Sequence, residues 1–202
     1  MRKKRLEILL ERVSGFVSAD PVREQYKTPT VVAAELLFSA YMRGDIEDRI
    51  VFDLGCGTGI LGIGAELLGA RSVVGVDCDI EALRVARENA SQMGCSNISF
   101  VSCDVDRFCG LGETVVMNPP FGAQVRGGDR PFLDCAARVG GVIYSIHNKG
   151  SSDFVQKYIS PSIVTDVKLV KFAIPRTFRF HRDDVKMIEV ELCRIVVCDR
   201  HR

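Results

Sequence analysis

Apolar residues recur along this chain in two alternating spacings, which predicts a repeated order of strand and helix. Short β-branched runs predict strands over 50–54, 72–76, 98–102 and 114–117. Apolar residues three or four positions apart predict helices from residue 60 to about 68, over 80–93 and over 131–139. This order is typical of a Rossmann-like, doubly wound α/β fold, with helices on both faces of the sheet.

The last part of the chain ends the alternation. It predicts, in order, strand 141–146, helix 151–158, strand 163–172 and strand 185–197. No segment of crossover length separates the last two strands, so we expect antiparallel neighbours joined by a hairpin over 175–184. The predicted sheet therefore has seven strands, and its last strand is antiparallel.

Two helices are predicted before the first strand. Leucines at helical spacing favour an amphipathic helix over 3–16, and Thr30 is a candidate cap for a second helix that ends near Gly44. A polar loop, residues 24–30, connects them. We expect residues 1–45 to form a helical extension that closes over the site of a single domain, residues 1–202.

The composition is that of a globular protein with 202 residues, 47% of them hydrophobic, and a net charge of +1. No apolar run is long enough for a membrane helix, and the basic start leads into an amphipathic helix, not a signal sequence. We therefore expect a cytosolic protein with no membrane partner. Any affinity for nucleic acid must come from local basic patches.

The eight cysteines contain no Cys-x-x-Cys pair, and we interpret them as reduced residues that lie mostly in the core. A zinc site at Cys103 and Cys109, or at Cys193 and Cys198, is the alternative. The three histidines complete no ligand pattern for it, so we expect no metal.

Three successive predicted strands end in a carboxylate: Asp53, Asp77 and Asp104. Asp53 would repel a pyrophosphate but could hold an ammonium group or stabilise the loop that follows. Asp77 is placed to bind both hydroxyls of a ribose, and Asp104, next to Val105, to accept from the amine of an adenine. An ordinary turn or cap remains an alternative for Asp104. The loop after Asp53 formally matches a dinucleotide fingerprint, a weak signal alone, through Gly55, Gly57, Thr58, Gly59 and Ile60.

A rigid turn, Asn118-Pro119-Pro120-Phe121, follows the fourth strand directly. Two prolines stop a strand because they donate no backbone hydrogen bond. The turn presents an amide, a carbonyl and an aromatic ring where α/β sheets bind ligands, so it could hold a flat molecule by its face and its nitrogen edge. A strand that merely ends in a proline turn is the alternative.

With Asp53-Leu54-Gly55-Cys56-Gly57-Thr58-Gly59, Asp77 and Asp104, this turn resembles the class I S-adenosylmethionine-dependent methyltransferases that act on planar amino nitrogens. Over nearly the whole chain the resemblance sharpens to the small-subunit ribosomal RNA adenine-N6 methyltransferases of archaea and eukaryotes. It is carried by Glu24-Gln25-Tyr26-x-Thr28, the motif 117–122, the strand 142–147 and the segments 180–181 and 188–192. The resemblance implies S-adenosylmethionine as cofactor, Gln25 and Thr28 enclosing it, and RNA as substrate.

For RNA contact, the segment 171–182 interleaves basic and aromatic residues without an acidic one. A solvated strand with its phenylalanines in the core is the alternative, which we favour for Phe172. His147 is interpreted as a structural or stacking residue beside the pocket. The candidate substrate-binding residues are Arg126, Arg130, His147, Lys149, Arg176, Arg179, Phe180 and Arg182. The glycine-rich stretch 122–130 is a candidate lid.

The resemblance also implies a partner, since eukaryotic members bind a small zinc-binding activator protein at an exposed edge strand. In the sheet order 3-2-1-4-5-7-6 of this class, Ile98–Ser102 is that edge. Two other functions stay open. One is glutamine methylation of a release factor, whose enzymes usually carry tyrosine at the place of Phe121, and the other is a catalytically silent RNA-binding scaffold.

Overall fold

The computed structural model describes residues 1–20, 24–121, 127–175 and 185–198. Its helices are α1 (Lys3–Leu10), α2 (Thr30–Met42), α3 (Ile60–Leu67), α4 (Ile80–Gln92), α5 (Arg130–Val139) and α6 (Ser152–Tyr158). Its strands are β1 (Ile50–Leu54), β2 (Ser72–Asp77), β3 (Ile98–Ser102), β4 (Thr114–Met117), β5 (Val142–Asn148), β6 (Ile163–Pro175) and β7 (Val185–Val196). A short 3-10 helix, Val105–Arg107, follows β3.

The seven strands form one sheet in the order β3-β2-β1-β4-β5-β7-β6. All neighbouring pairs are parallel except the two that involve β7, which runs antiparallel to both β5 and β6. The predicted Rossmann-like fold, including its antiparallel last strand, is confirmed.

Two apolar clusters cover the two faces of this sheet. One joins α1, α2 and α3 to the sheet and contains Leu6, Leu37 and Ile63. The other contains Leu133 of α5 and Val155 of α6. Because helices cover both faces, all four residues of β4 are buried, and three of them, Val115, Val116 and Met117, are apolar.

The first helix is shorter than predicted, ending at Leu10 instead of extending to residue 16. Val13 is still buried, as the apolar spacing suggests. The backbone of Ser14, however, donates to Asn89 Oδ1 at 2.9 Å and accepts from Asn89 Nδ2 at 3.1 Å. These bonds to α4 replace a further helical turn, and no local pattern encodes a partner 75 residues away.

The register of the sheet determines what meets at its carboxyl edge. Leu54 lies opposite Val76 on one side and Met117 on the other, and Asp77 lies opposite Ser102. The segments that follow β1, β2, β3 and β4 therefore emerge side by side. The strand order runs from β1 outward to β2 and β3 on one side, and from β4 outward to β5 on the other. Open α/β sheets form a ligand crevice where the strand order reverses in this way, here between β1 and β4.

Within the described ranges, no helix is both long and apolar enough to span a bilayer.

Candidate functional site

A cavity of about 460 Å³ lies at the carboxyl ends of β1, β2, β3 and β4. This volume is within the range of small-molecule sites. Ten of the eleven predicted cofactor-binding residues line it, namely Gln25, Thr28, Asp53, Gly55, Gly57, Thr58, Ile60, Asp77, Asp104 and Val105. The eleventh, Gly59, is the N-cap of α3, with a left-handed φ of 86°.

Phenylalanine rings close tightly over the glycine loop. Gly55 and Gly57 have φ values of 67° and 51°, which favour glycine. A Cβ on Gly55 would lie 2.7 Å from the ring of Phe132, and one on Gly57 would lie 2.7 Å from Phe16. Both rings line the cavity. The glycines therefore allow the loop backbone to pass directly beneath two aromatic walls.

Asp53 lies at the floor of the cavity and is only 1% exposed. Its Oδ2 accepts the backbone N–H of Gly62 in the first turn of α3 at 2.7 Å. Burial is the main reason that its pKa is raised to about 7. Asp53 therefore stabilises the loop and helix, one of its two predicted roles. A cation in the cavity would favour its charged form.

Asp77 holds the same loop from β2. Its Oδ2 accepts the N–H of Gly57 at 2.8 Å, and its Oδ1 accepts the N–H of Asp79 at 2.9 Å. Asp77 also lines the cavity, and a carboxylate there is an acceptor for ligand hydroxyls. Asp79 caps α4, accepting from Glu81 and Ala82. Its other oxygen accepts from Gln25 Nε2 at 2.7 Å.

Asp104 lies at the N-cap of the 3-10 helix, and its side chain makes no capping hydrogen bond there. It lines the cavity together with Val105. A carboxylate that is not used for capping is available to accept from a ligand amine.

The Asn-Pro-Pro-Phe turn lies on the β4 side of the cavity, which Asn118 and Pro120 line. Asn118 Nδ2 donates to Thr28 Oγ1 at 3.0 Å, and the Tyr26 hydroxyl donates to Asn118 Oδ1 at 3.5 Å. The backbone N–H of Phe121 donates to Glu24 Oε2 at 2.7 Å. Neither Pro119 nor Phe121 is among the described residues of the cavity wall.

Several lining residues are not among the predicted cofactor-binding or catalytic residues: Phe16, Glu24, Tyr26, Lys27, Cys56, Leu61, Val76, Cys78, Cys103, Gly128 and Phe132. Those next to predicted residues could have been found by adjacency. Phe16 and Phe132 could not, because their place depends on the segment after α1 and on α5. The wall residues 16 and 24–28 lie between α1 and α2, so this connection, not the two helices, covers the cavity.

The predicted RNA-contacting residues Arg130 and Lys149 lie outside the cavity wall. Arg130 is exposed, with its guanidinium 5.6 Å from the ring centres of Phe154 and Tyr158. Lys149 is exposed and pairs with Glu189 at 2.6 Å. Five of the predicted residues lie outside the described residues, namely Arg126, Arg176, Arg179, Phe180 and Arg182, and so does most of the candidate lid.

His147 requires a correction as a substrate-binding residue. Its side chain is 2% exposed, and Nε2 lies 2.8 Å from the hydroxyl of Ser145. Burial lowers its pKa to about 4. A ring buried in the sheet has no face for an RNA base, so the structural interpretation holds for His147. Phe172 is 8% exposed and also belongs to the core.

Comparison with known proteins places this geometry in a family. The sequence pattern of the ribosomal protein L11 methyltransferase family (PrmA) matches residues 30–118. The rRNA N(6)-adenosine-methyltransferase METTL5 of Danio rerio is 34% identical, over 96% of this chain and 98% of its own length. The chain belongs to the METTL5 family. It is thus a class I S-adenosylmethionine-dependent methyltransferase by descent, and the family predicted from its motifs is confirmed.

Archaeal proteins match this METTL5-family chain as well. An uncharacterised protein of Methanocaldococcus jannaschii is 38% identical, over 96% of this chain and 94% of its own length. A crystal structure described as a proposed RNA methyltransferase of Pyrococcus horikoshii superposes with a TM-score of 0.90. It is 40% identical and covers 98% of this chain and 99% of its own.

Proposed function

We propose that this protein transfers a methyl group from S-adenosylmethionine to N6 of an adenosine in structured RNA, with ribosomal RNA as the natural substrate. The observation that carries the proposal is that Asn118 and Asp77 face one cavity, so an amino acceptor and a nucleoside cofactor can meet there. The relatives named rRNA N(6)-adenosine-methyltransferases support adenosine as the acceptor.

The cavity residues fit the cofactor. Asp77 and Asp104 both line the cavity, where their carboxylates can accept from the ribose hydroxyls and from the adenine amine. Asp53 is a buried acid whose charged form a nearby ammonium group would stabilise. Gln25, Thr28, residues 55–58 of the glycine loop and Ile60 line the rest. When bound, S-adenosylmethionine supplies an electrophilic methyl group on a positively charged sulfur.

The residues of the turn would act on the acceptor. The lone pair of N6 is delocalised into the adenine ring, and hydrogen bonds from N6 to Asn118 Oδ1 and to the Pro119 carbonyl favour a more tetrahedral nitrogen. Phe121 stacks on the base. N6 gains the methyl carbon as the carbon–sulfur bond breaks, and it loses one proton to water. Positioning of N6 against the methyl group therefore supplies most of the rate enhancement.

Arg130 offers a contact for the rest of the RNA. Its guanidinium lies against Phe154, which is 38% exposed, and against Tyr158. A cation beside an exposed aromatic ring can bind a phosphate and stack a base at the same place. We include Lys149 and the arginines of 176–182 in this proposed surface.

Mass spectrometry of nucleosides from ribosomal RNA incubated with enzyme and labelled cofactor tests the function. We expect label in N6-methyladenosine, and Asn118→Ala should lower the rate at least about 100-fold while calorimetry still detects cofactor binding. Asn148→Ala, at the exposed end of β5, is the matched control and should leave the rate unchanged. Label in a glutamine-containing peptide and none in N6-methyladenosine would overturn the choice of substrate, whereas failure to bind the cofactor would revive the silent scaffold.

We further propose that a small zinc-binding activator protein adds to the edge strand β3. This strand pairs with β2 alone, and Val101 is 39% exposed. Ile98 and Phe100 pack against the core, so they are poor sites for testing the edge. Arg87 of α4 donates to the backbone carbonyl of Phe100 at 3.3 Å, so this carbonyl accepts a donor from outside the β2–β3 ladder. An uncovered apolar edge is a liability that a partner strand removes.

The partner proposal is tested by co-expression with a candidate activator, followed by size-exclusion chromatography and zinc analysis of the complex. Val101→Glu should weaken the complex. Val167→Glu, at a 42% exposed position of the opposite edge strand β6, is the matched control. Equal behaviour of the two variants would count against β3 as the docking edge.

A cytosolic location is part of the same proposal. All eight cysteines carry free thiols, and Cys78 and Cys109 are exposed. Exposed free thiols suit a reducing compartment.

A further inference from the structure

The segment Glu24–Thr28 touches the Asn-Pro-Pro-Phe turn at both of its ends. Thr28 and Tyr26 contact the carboxamide of Asn118, Glu24 holds the N–H of Phe121, and the rings of Tyr26 and Phe121 lie 6.0 Å apart. The contacting residues are 90 to 97 positions apart in the chain. These contacts are directed at the acceptor turn, whereas the family resemblance assigns Thr28 to the cofactor.

We propose that Thr28, assisted by Tyr26, is a positioning residue that holds the Asn118 carboxamide with Oδ1 toward the acceptor. The inference rests on the proposed function, in which Oδ1 accepts a hydrogen bond from N6. It adds a role for Thr28 that enclosing the cofactor does not require.

The hydrogen bonds define how the amide is held. Asn118 Nδ2 donates its hydrogen bond to Thr28 Oγ1. Nδ2 is the amide atom that would repel an incoming amino group, because both are hydrogen-bond donors. The hydroxyl of Tyr26 reaches Oδ1 from the other side at a longer 3.5 Å, a weak contact that an acceptor amine can replace. Thr28 is 6% exposed, so its hydroxyl is held within the protein.

The segment that carries these side chains is itself fixed by hydrogen bonds to parts of the protein other than the acceptor turn. Gln25 accepts from the backbone of Asp20 at 2.8 Å and donates to Asp79 at 2.7 Å. Lys27 donates to the carbonyl of Val13. Because these anchors lie on the N-terminal segment and the start of α4, the amide of Asn118 is oriented before any RNA binds. Such preorganisation is worth most where a misplacement of about 1 Å costs about 100-fold in rate.

Thr28→Val tests the proposal, because valine keeps the shape and removes the hydroxyl. We expect kcat to fall about 10- to 100-fold with the Kd for S-adenosylmethionine changed by less than about twofold. Thr28→Ser restores the hydroxyl and should recover most of kcat. Thr114→Val is the matched control, since it removes a buried threonine hydroxyl that donates to the carbonyl of Asp45 instead. A loss of cofactor affinity with kcat unchanged would show that Thr28 serves the cofactor only.

A second readout does not depend on activity. The side-chain NH₂ signal of Asn118, identified by its absence in Asn118→Ala, should shift and exchange faster with solvent in Thr28→Val, and it should return in Thr28→Ser. This result is expected even if the wild-type enzyme methylates no RNA, so the positioning role and the proposed function can fail separately. An Asn118 signal that is identical in Thr28→Val and the wild type would overturn the inference.

Discussion

At the scale of single residues, the buried acid Asp53 links the site to stability. Its folded-state pKa of about 7 exceeds the 3.8 of an ordinary aspartate, so between these values the folded protein keeps a proton that the unfolded chain has released. The free energy of unfolding should therefore fall as pH rises from about 4 to about 7. Asp53→Asn cannot titrate, yet its side-chain oxygen can still accept from Gly62.

Urea unfolding from pH 4 to pH 8 measures this effect as the difference between wild type and Asp53→Asn. We expect the wild type to lose up to about 4 kcal/mol relative to the variant across this interval. Other groups titrate equally in both proteins, so the difference isolates Asp53. A pH-independent difference would mean that Asp53 is already ionised at pH 4.

His147 should act with the opposite sign. Burial lowers its pKa from 6.5 to about 4, and the smaller effect of the Glu191 charge only partly offsets this. The unfolded chain then binds the extra proton first, so stability is lost as pH falls from about 6.5 to about 4, by up to about 3 kcal/mol. An NMR titration should show the His147 ring neutral down to about pH 4. A midpoint near 6.5 would contradict the burial of this ring.

The carboxylates of the site were predictable residue by residue because each follows a strand, and the ends of parallel strands meet at one edge. Asp53, Asp77 and Asp104 all line the cavity as this rule requires. Loop stabilisation by Asp53 was also predictable, but its partner Gly62 and the bond from Gly57 to Asp77 were not, because these N–H groups become neighbours of the carboxylates only when the glycine loop has folded.

At the scale of elements, local signals placed most helices and strands within a few residues. The cap of α4 is such a local feature, since Asp79 accepts from the N–H groups of the residues two and three positions later in the chain. The end of α1 was missed because Asn89 of α4 captures Ser14. The 3-10 helix after β3 was missed as well, since three residues carry no periodicity.

The packing of α3 against α2 gives a prediction for Gly64. A Cβ at this position would overlap a methyl group of Leu37. Overpacking should cost about 1–3 kcal/mol against a gain of about 1 kcal/mol in helix propensity, so we expect Gly64→Ala to lower the free energy of unfolding by up to about 2 kcal/mol. Urea unfolding measures the change. Gly15→Ala, whose Cβ would lie 3.8 Å from its nearest neighbour, is the control and should be close to neutral.

At the scale of the whole molecule, the fold class follows from the order of elements, but the order of strands does not. The position of β4 beside β1, which creates the crevice, was expected only through family resemblance. Phe16 and Phe132 complete the cavity from regions that local patterns do not connect to it. The single domain over residues 1–202 stays a prediction, although α1, α2 and α3 share one core cluster with the sheet.

The charge of the molecule limits how it can bind RNA. With 27 basic and 26 acidic residues, no global field attracts a polyanion, so a few local contacts must supply the affinity. Replacing Arg176, Arg179 and Arg182 by glutamine should reduce the slope of log K against log salt by about 2–3, since each phosphate contact contributes about 0.7–0.9. Binding of fluorescent RNA from 50 to about 300 mM salt measures this slope.

The control for this experiment removes the same charge elsewhere. Arg43, Arg71 and Arg84 pair with carboxylates on other parts of the surface, and their replacement by glutamine should leave the slope nearly unchanged. Equal losses in the two triple variants would mean that RNA responds to net charge alone. A loss confined to the 176–182 variant would identify the segment between β6 and β7 as the place where phosphates bind.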